Sequence, residues 1–356
     1  MGETILTSEV QCQASIESSL TLRAMTIDSN RKSLATAFLL LLSLALPRLA
    51  AQTCASAAEM DEPTRSSLER TAHQLFDYAS KGDAFNLKQS STSSLASNFG
   101  GVEGVVIDQR SIYSGAQATV RAAYLLDASG ATTGRAEFMC GVWATPSWVT
   151  FGINNLPPGR YGVVIQDVST SKGKYALTMI LKQEGGAWKL AGYYSKPEDL
   201  GGHDGQWFLA KAREYKAKGS TRVAWFYYLT AWDLDAPVDF MSTRALDKLN
   251  GEMQSVRPAD LPTSEHPLTL AAAGGRTYQV IYMSALPVGN DLDVLVKYRV
   301  ADVSDQQRAF DNNMAVIRGI VSRYPEFREA FAGVVARATD PSGRDYGTLL
   351  AMKDVK

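Results

Sequence analysis

Apolar positions recur with two different periods along this chain, and each change of period marks a change of architecture. From Asp61 to Ser80, Leu68, Ala72, Leu75, Phe76 and Ala79 fall at i, i+4, i+7, i+8 and i+11, one stripe of a helix. Pro63 suits its first turn and Gly82 follows its end. A weaker helix is predicted from Ala84 to about Phe99, because its middle, Ser90 to Ser94, has poor helix propensity. The period then drops to two. Val120, Ala122, Tyr124 and Leu126 alternate with polar or small neighbours, as do Ala136, Phe138, Cys140 and Val142. Further strands are predicted at 149–153, 161–168, 175–182 and 188–194, the last two joined by a hairpin at Gly185-Gly186.

Ser195 to Gly205 (SKPEDLGGHDG) interrupts the alternation and reads as a linker. Helical spacing returns at Phe208, Ala212, Tyr215, Gly219, Ala224, Tyr228 and Ala231, closed by Pro237, and a third helix from Phe240 to Val256 is predicted to bury Met241, Ala245, Leu249 and Met253. Strands resume where Leu292, Val294, Val296, Tyr298 and Val300 alternate, pairing with 278–285 across Val288-Gly289-Asn290. Ser304-Asp305-Gln306-Gln307 has the form of a capping box for a helix carrying Phe310, Met314, Ile317, Ile320 and Val321, which Pro325 ends. A second hairpin, 331–339 with 346–352, turns at Asp340-Pro341-Ser342-Gly343. The expected class is α+β: a helix-plus-antiparallel-sheet domain at 62–197, a central helical hairpin region at 198–260 and a ββαββ domain at 266–356, with one helix on a four-stranded antiparallel sheet.

Short helices followed by a curved sheet whose last strand reads Gly186 to Tyr194 (GAWKLAGYY) resemble the NTF2-like, cystatin-like α+β cone over 62–197. That resemblance implies a space between helix and sheet, which hosts enzymes, binding modules and assembly domains alike. Leu156-Pro157-Pro158-Gly159-Arg160-Tyr161 before a strand is also usual in small β-sandwich modules, so a sandwich stands as the second reading of this domain. The spacing over 205–238 is similar to a single tetratricopeptide-type hairpin. One such unit cannot bury its apolar face alone, so it must pack on the rest of the chain or on a partner.

The N-terminal 57 residues follow neither period. Arg31-Lys32, the apolar run Leu34 to Leu46 and the small residues Ala50 to Ala58 have the order of a secretory signal peptide, placed at about 31–57. The run is too short to cross a bilayer as a helix, which needs about 20 apolar residues. Met25 is the expected start, and two cleavage points fit, after Ala57 and after Ala51, the first having the better small-residue pair. The alternatives are an uncleaved anchor and a cytosolic tail over residues 1 to 24. Ala51-Gln52-Thr53 before Cys54 lacks a lipobox pattern.

Cysteine usage depends on that cleavage. Cutting after Ala57 removes Cys54 and leaves Cys140 alone as a buried small hydrophobe, whereas cutting after Ala51 permits a Cys54 to Cys140 bridge. The favoured expectation is the lone Cys140.

Charge and motifs narrow the chemistry. With 36 basic and 37 acidic side chains and no Lys/Arg run, the sequence has no polyanion-binding signature, so no nucleic-acid partner is expected. No G-x-S-x-G, H-E-x-x-H or P-loop occurs, and His73, His203 and His266 are scattered over separate segments, so no catalytic, cofactor-binding or metal-ligating set is assigned and no cofactor is expected. His73, Cys140 and His203 are the pocket candidates, each with a simpler structural explanation: a boundary histidine, a core residue, and a side chain beside the helix-capping Asp204. Trp225, Phe226, Tyr227, Tyr228 and Trp232 are more aromatic surface than one stripe buries. They predict either an inter-domain contact or a recognition surface for a protein or glycan. The expectation is an exported, periplasmic or secreted bacterial-type envelope protein that binds or scaffolds without catalysis. The alternative is a small-ligand carrier or enzyme using a pocket in 62–197.

Overall fold

The computed structural model of the chain describes residues 52–130, 134–143 and 145–356. The signal segment through Ala51, with Met25, lies outside the described residues. The fold is α+β.

The described chain enters through β1 (Thr53–Ser56), antiparallel to β2 (Gln117–Asp127) with Cys54 opposite Leu126. The extension expected through residue 57 therefore includes a strand of this sheet. In α1 (Glu62–Ser80), Asp61 caps the first turn by accepting from the Thr64 amide at 2.9 Å, and Leu68, Ala72, Leu75, Phe76 and Ala79 are buried as the sequence pattern predicts. The weaker helix divides into α2 (Ala84–Gln89) and α3 (Ser93–Ser97). Between them the backbone turns outward to bond the sheet: the Leu190 amide donates to the Ser90 carbonyl and the Thr92 amide to the Leu190 carbonyl. A further helix, α4 (Gly100–Tyr113), has no counterpart in the sequence reading, because Gly100, Gly101 and Gly104 depress helix propensity through its first turns.

β2 continues into a five-stranded antiparallel sheet, order β1-β2-β5-β6-β7, with β5 (Arg160–Thr170), β6 (Gly173–Glu184) and β7 (Ala187–Pro197). The helices cover one face. On the other lies a small sheet, order β10-β4-β3, built from β3 (Arg135–Cys140), β4 (Val149–Asn154) and β10 (Met241–Thr243). The domain thus has helices on one side of its main sheet and a small three-stranded sheet on the other. A bulge at Arg121 flips the alternation of β2: Val120 packs with the helices, whereas beyond the bulge Ala123 and Leu125 take that face and Tyr124 and Leu126 turn to the small sheet. Gly162 lets α1 approach β5, since a Cβ there would collide with the Leu68 side chain.

The expected linker is ordered. β7 runs to Pro197, and β8 (Asp199–Leu200) and β9 (His203–Asp204) form a two-residue-stranded hairpin before α5 (Gly205–Ala217), capped by Asp204 at 2.9 Å from the Trp207 amide. α6 (Thr221–Asp235) follows. The third helix, α7 (Arg244–Gln254), begins later than the pattern predicts because Met241 to Thr243 pair with β4; its buried positions are Leu246, Leu249 and Met253, and Ala245 is exposed.

The C-terminal sheet departs from the predicted four antiparallel strands. Its order is β11-β12-β13-β14-β15, from β11 (Leu268–Ala271), β12 (Thr277–Val288), β13 (Asp291–Arg299), β14 (Gly333–Thr339) and β15 (Asp345–Ala351), and β13 pairs with β14 in parallel. The helix α8 (Gln306–Arg323) and the short α9 (Phe327–Ala330) carry the chain back to the starting end of β13, which is what a parallel neighbour requires. Asp305, not Ser304, caps α8, and its inward row runs through Ala309, Asn313, Val316, Ile317 and Ile320, leaving Phe310 exposed. One continuous core joins α5 to α8 with the inner face of this sheet.

Candidate functional site

The sequence candidates do not converge. His73 is exposed on α1, and His203 is exposed with its ring stacked 3.9 Å from Trp207. Cys140 is neither lone nor a thiol: it is disulfide-bonded to Cys54, fastening β1 to the small sheet. β1 is a strand of the fold, and it brings Cys54 beside β3.

The aromatic cluster faces inward. Trp225, Phe226, Tyr227 and Tyr228 are all at most 8% exposed. Phe226 and Tyr227 pack on Phe331, and the Tyr227 hydroxyl donates to the Ala330 carbonyl at 2.6 Å. Trp232 is half-buried, with Lys196 over its ring at 5.9 Å. These residues pack α6 against α8, α9 and the C-terminal sheet in one core, with Trp232 partly buried at its border.

Between the N-terminal helices and their sheet, the space is filled by Phe76, Phe99, Tyr113, Leu177, Met179 and Trp188. Polar atoms in this interior include the hydroxyls of Tyr113 and Tyr193. Tyr113 bonds Ser195, and burial pushes its phenol up to about 12; burial likewise raises Tyr193, beside Gln109. Both phenols therefore stay neutral across the physiological range. Gln166 is fully buried with neither amide atom hydrogen-bonded in this structure.

Two open grooves lie elsewhere. One, of about 460 Å³, includes Ser220, Arg222, Arg257, Asp260 and Tyr324; Arg222 is buried, pairs with Asp260 and lies 4.5 Å from the Tyr324 ring centre. The other, of about 890 Å³, runs past Ser169, Lys172, Lys174, Asp199 and Asp291. Among the described residues, no group of three or more His, Cys, Asp and Glu side chains is placed to hold a metal, and no helix is long and apolar enough to cross a membrane.

The outer face of the C-terminal sheet lies outside the core clusters. Register aligns its outward residues in cross-strand rows. Ser284, Leu295, Val335 and Leu349 form one row; Tyr282, Lys297, Arg337 and Gly347 form the next; Thr269, Gln279, Arg299, Thr339 and Asp345 form the third. Tyr282 and Leu349 are 46% and 51% exposed, and none of Tyr282, Leu295, Val335 and Leu349 belongs to a core cluster. Lys297 sits over the Tyr282 ring at 5.5 Å, Arg337 reaches Asp345 at 3.1 Å while its Nε has no acceptor, and Arg299 donates to the Ser264 carbonyl. The sequence reading recorded the inward positions of β13 and passed over Leu295, Lys297 and Arg299 between them, where the same alternation places the outward face. No family model, curated protein or solved structure matches this chain.

Proposed function

We propose that this chain is an exported envelope protein, periplasmic or secreted, with a non-catalytic binding or scaffolding role. The observation that carries the non-catalytic half is the filled interior of the N-terminal domain, where a carrier or enzyme of this architecture would keep an open space with converging ionisable groups. Export is supported by the charged, apolar and small-residue order from Arg31 to Ala58 and by the Cys54–Cys140 disulfide, a bond that persists in oxidising compartments. Cleavage after Ala57 would delete β1 and half of that disulfide, so the mature chain is assigned to begin at Gln52, after Ala51.

Intact-mass analysis of material taken from the cell envelope tests this directly. The expected species begins at Gln52 and is two hydrogens lighter than the fully reduced chain. Retention of Met1 or Met25, a start at Ala58, or two free thiols would overturn the assignment.

A further inference from the structure

We propose that the outer face of the C-terminal sheet is a docking platform for an acidic, extended segment of a partner protein, a reading that names the partner class for the binding role proposed above. Three cations, Lys297, Arg299 and Arg337, project from adjacent strands among neutral outward residues. Their acidic company beside the cations is Asp345, shared with Arg337; Asp293, which is buried and whose carboxyl is pushed up by that burial, and the exposed Asp291 stand at the other end of β13. Among the described residues neither Lys297 nor Arg299 meets a carboxylate, so in these two adjacent rows three cations stand against the single carboxylate of Asp345. Charge complementarity therefore favours an anionic occupant.

The apolar row decides its class. Leu295, Val335 and Leu349 lie one register step from the cations and cover no core of their own. A polyanion of phosphates would leave that row in water, whereas a peptide can supply both chemistries. Alternate residues of an extended strand are about 6.8 Å apart, the spacing between successive rows on the sheet. A segment aligned with β13 that places an apolar side chain over Leu295 would present its second and fourth following residues to Lys297 with Arg337 and to Arg299. Two carboxylates at those positions complete the match. Gly347 keeps the middle row low on the β15 side, where the Arg337 guanidinium lies flat, its Nε 3.5 Å from the place a Cβ would take.

The test is photo-crosslinking with the full-length mature chain, carrying a photo-reactive residue at position 282 or 349, against the envelope and cytosolic fractions of the source cells. Captured segments are sequenced. Crosslinks from both positions are expected to map to one protein segment containing an apolar residue followed within five positions by at least two Asp or Glu. Lys297→Glu and 0.5 M salt should each lower the yield about tenfold, the latter because exposed charge pairs are screened. Circular dichroism confirms that Lys297→Glu is folded, and Arg299→Glu serves as the second variant if it is not. No crosslink, a neutral or basic segment, an oligonucleotide, or capture of a second copy of this chain would each overturn the proposal. An acidic segment captured from the cytosolic fraction alone would keep the docking surface and remove the export reading, so the two failures are distinguishable.

Discussion

Asp293 shows how one residue departs from the rule of its strand. It occupies an outward position of β13 yet is 3% exposed, flanked by Gly333, whose missing Cβ would stand 3.1 Å from the Asp293 carboxylate. Burial, with Asp291 adding repulsion, raises its pKa above the ordinary 3.8. A raised carboxyl pKa favours the protonated form in the folded state. Its stabilising contribution is therefore complete below the unfolded value and is lost as pH rises through the raised folded value. Asp293→Asn, which stays neutral, should flatten this part of the profile and leave the protein at least as stable at pH 7. Urea unfolding of both proteins between pH 4 and 7 checks it; parallel profiles would show that Asp293 contributes nothing to the slope. Asp235, raised mainly by burial, supplies a similar slope in both proteins and cancels in the difference.

At the scale of elements, α6 buries ten of its fifteen residues. Tyr228 is fully buried and Trp225 is 8% exposed, so truncating either to alanine should cost about 3–5 kcal/mol, the range for large core aromatics. By contrast, His73→Ala should change stability by less than about 0.5 kcal/mol, as is usual for an exposed site. Chemical denaturation of the three variants separates core from surface, and a wild-type stability for Trp225→Ala would remove α6 from the interior. Legibility in sequence varied with how locally each element is determined. The stripe of α1 and the cap at Asp204 were readable because their signals lie within one element. α4 was not, because its burial of Val106 and Tyr113 outweighs three glycines only through tertiary packing. The parallel β13–β14 pair was hidden too, since the two hairpin turns are visible locally while the crossover that joins them is not. The outward rows lay in the alternation all along, yet only register brings Tyr282, Lys297 and Arg337 side by side.

Across the whole molecule, the main N-terminal sheet holds helices on one face and the small sheet on the other, and the disulfide ties that second layer to the beginning of the described chain. Cys140 is fully buried among Phe138, Val149 and Phe151, so its bond to Cys54 is part of the core between the sheets. The two cysteines are 86 residues apart, and opening a native disulfide of that kind costs about 2–5 kcal/mol. Against the roughly 5–15 kcal/mol that holds a domain folded, this is a large share. The loss should also be uneven. β1 has four residues and pairs with β2 alone, so once Cys54 is released its amides have little else to hold them, whereas β5 and β6 are paired on both edges. Cys54→Ser with Cys140→Ser is therefore expected to lower the unfolding free energy by that amount and to raise hydrogen exchange first in Thr53 to Ser56, then in β3, with β5 and β6 still protected. If exchange instead rises uniformly across the main sheet, the bond stabilises the whole molecule rather than clamping its edge. If neither stability nor exchange changes, β1 is held by its strand pairing alone, and the disulfide no longer argues for retaining Gln52 to Ala57 in the mature chain.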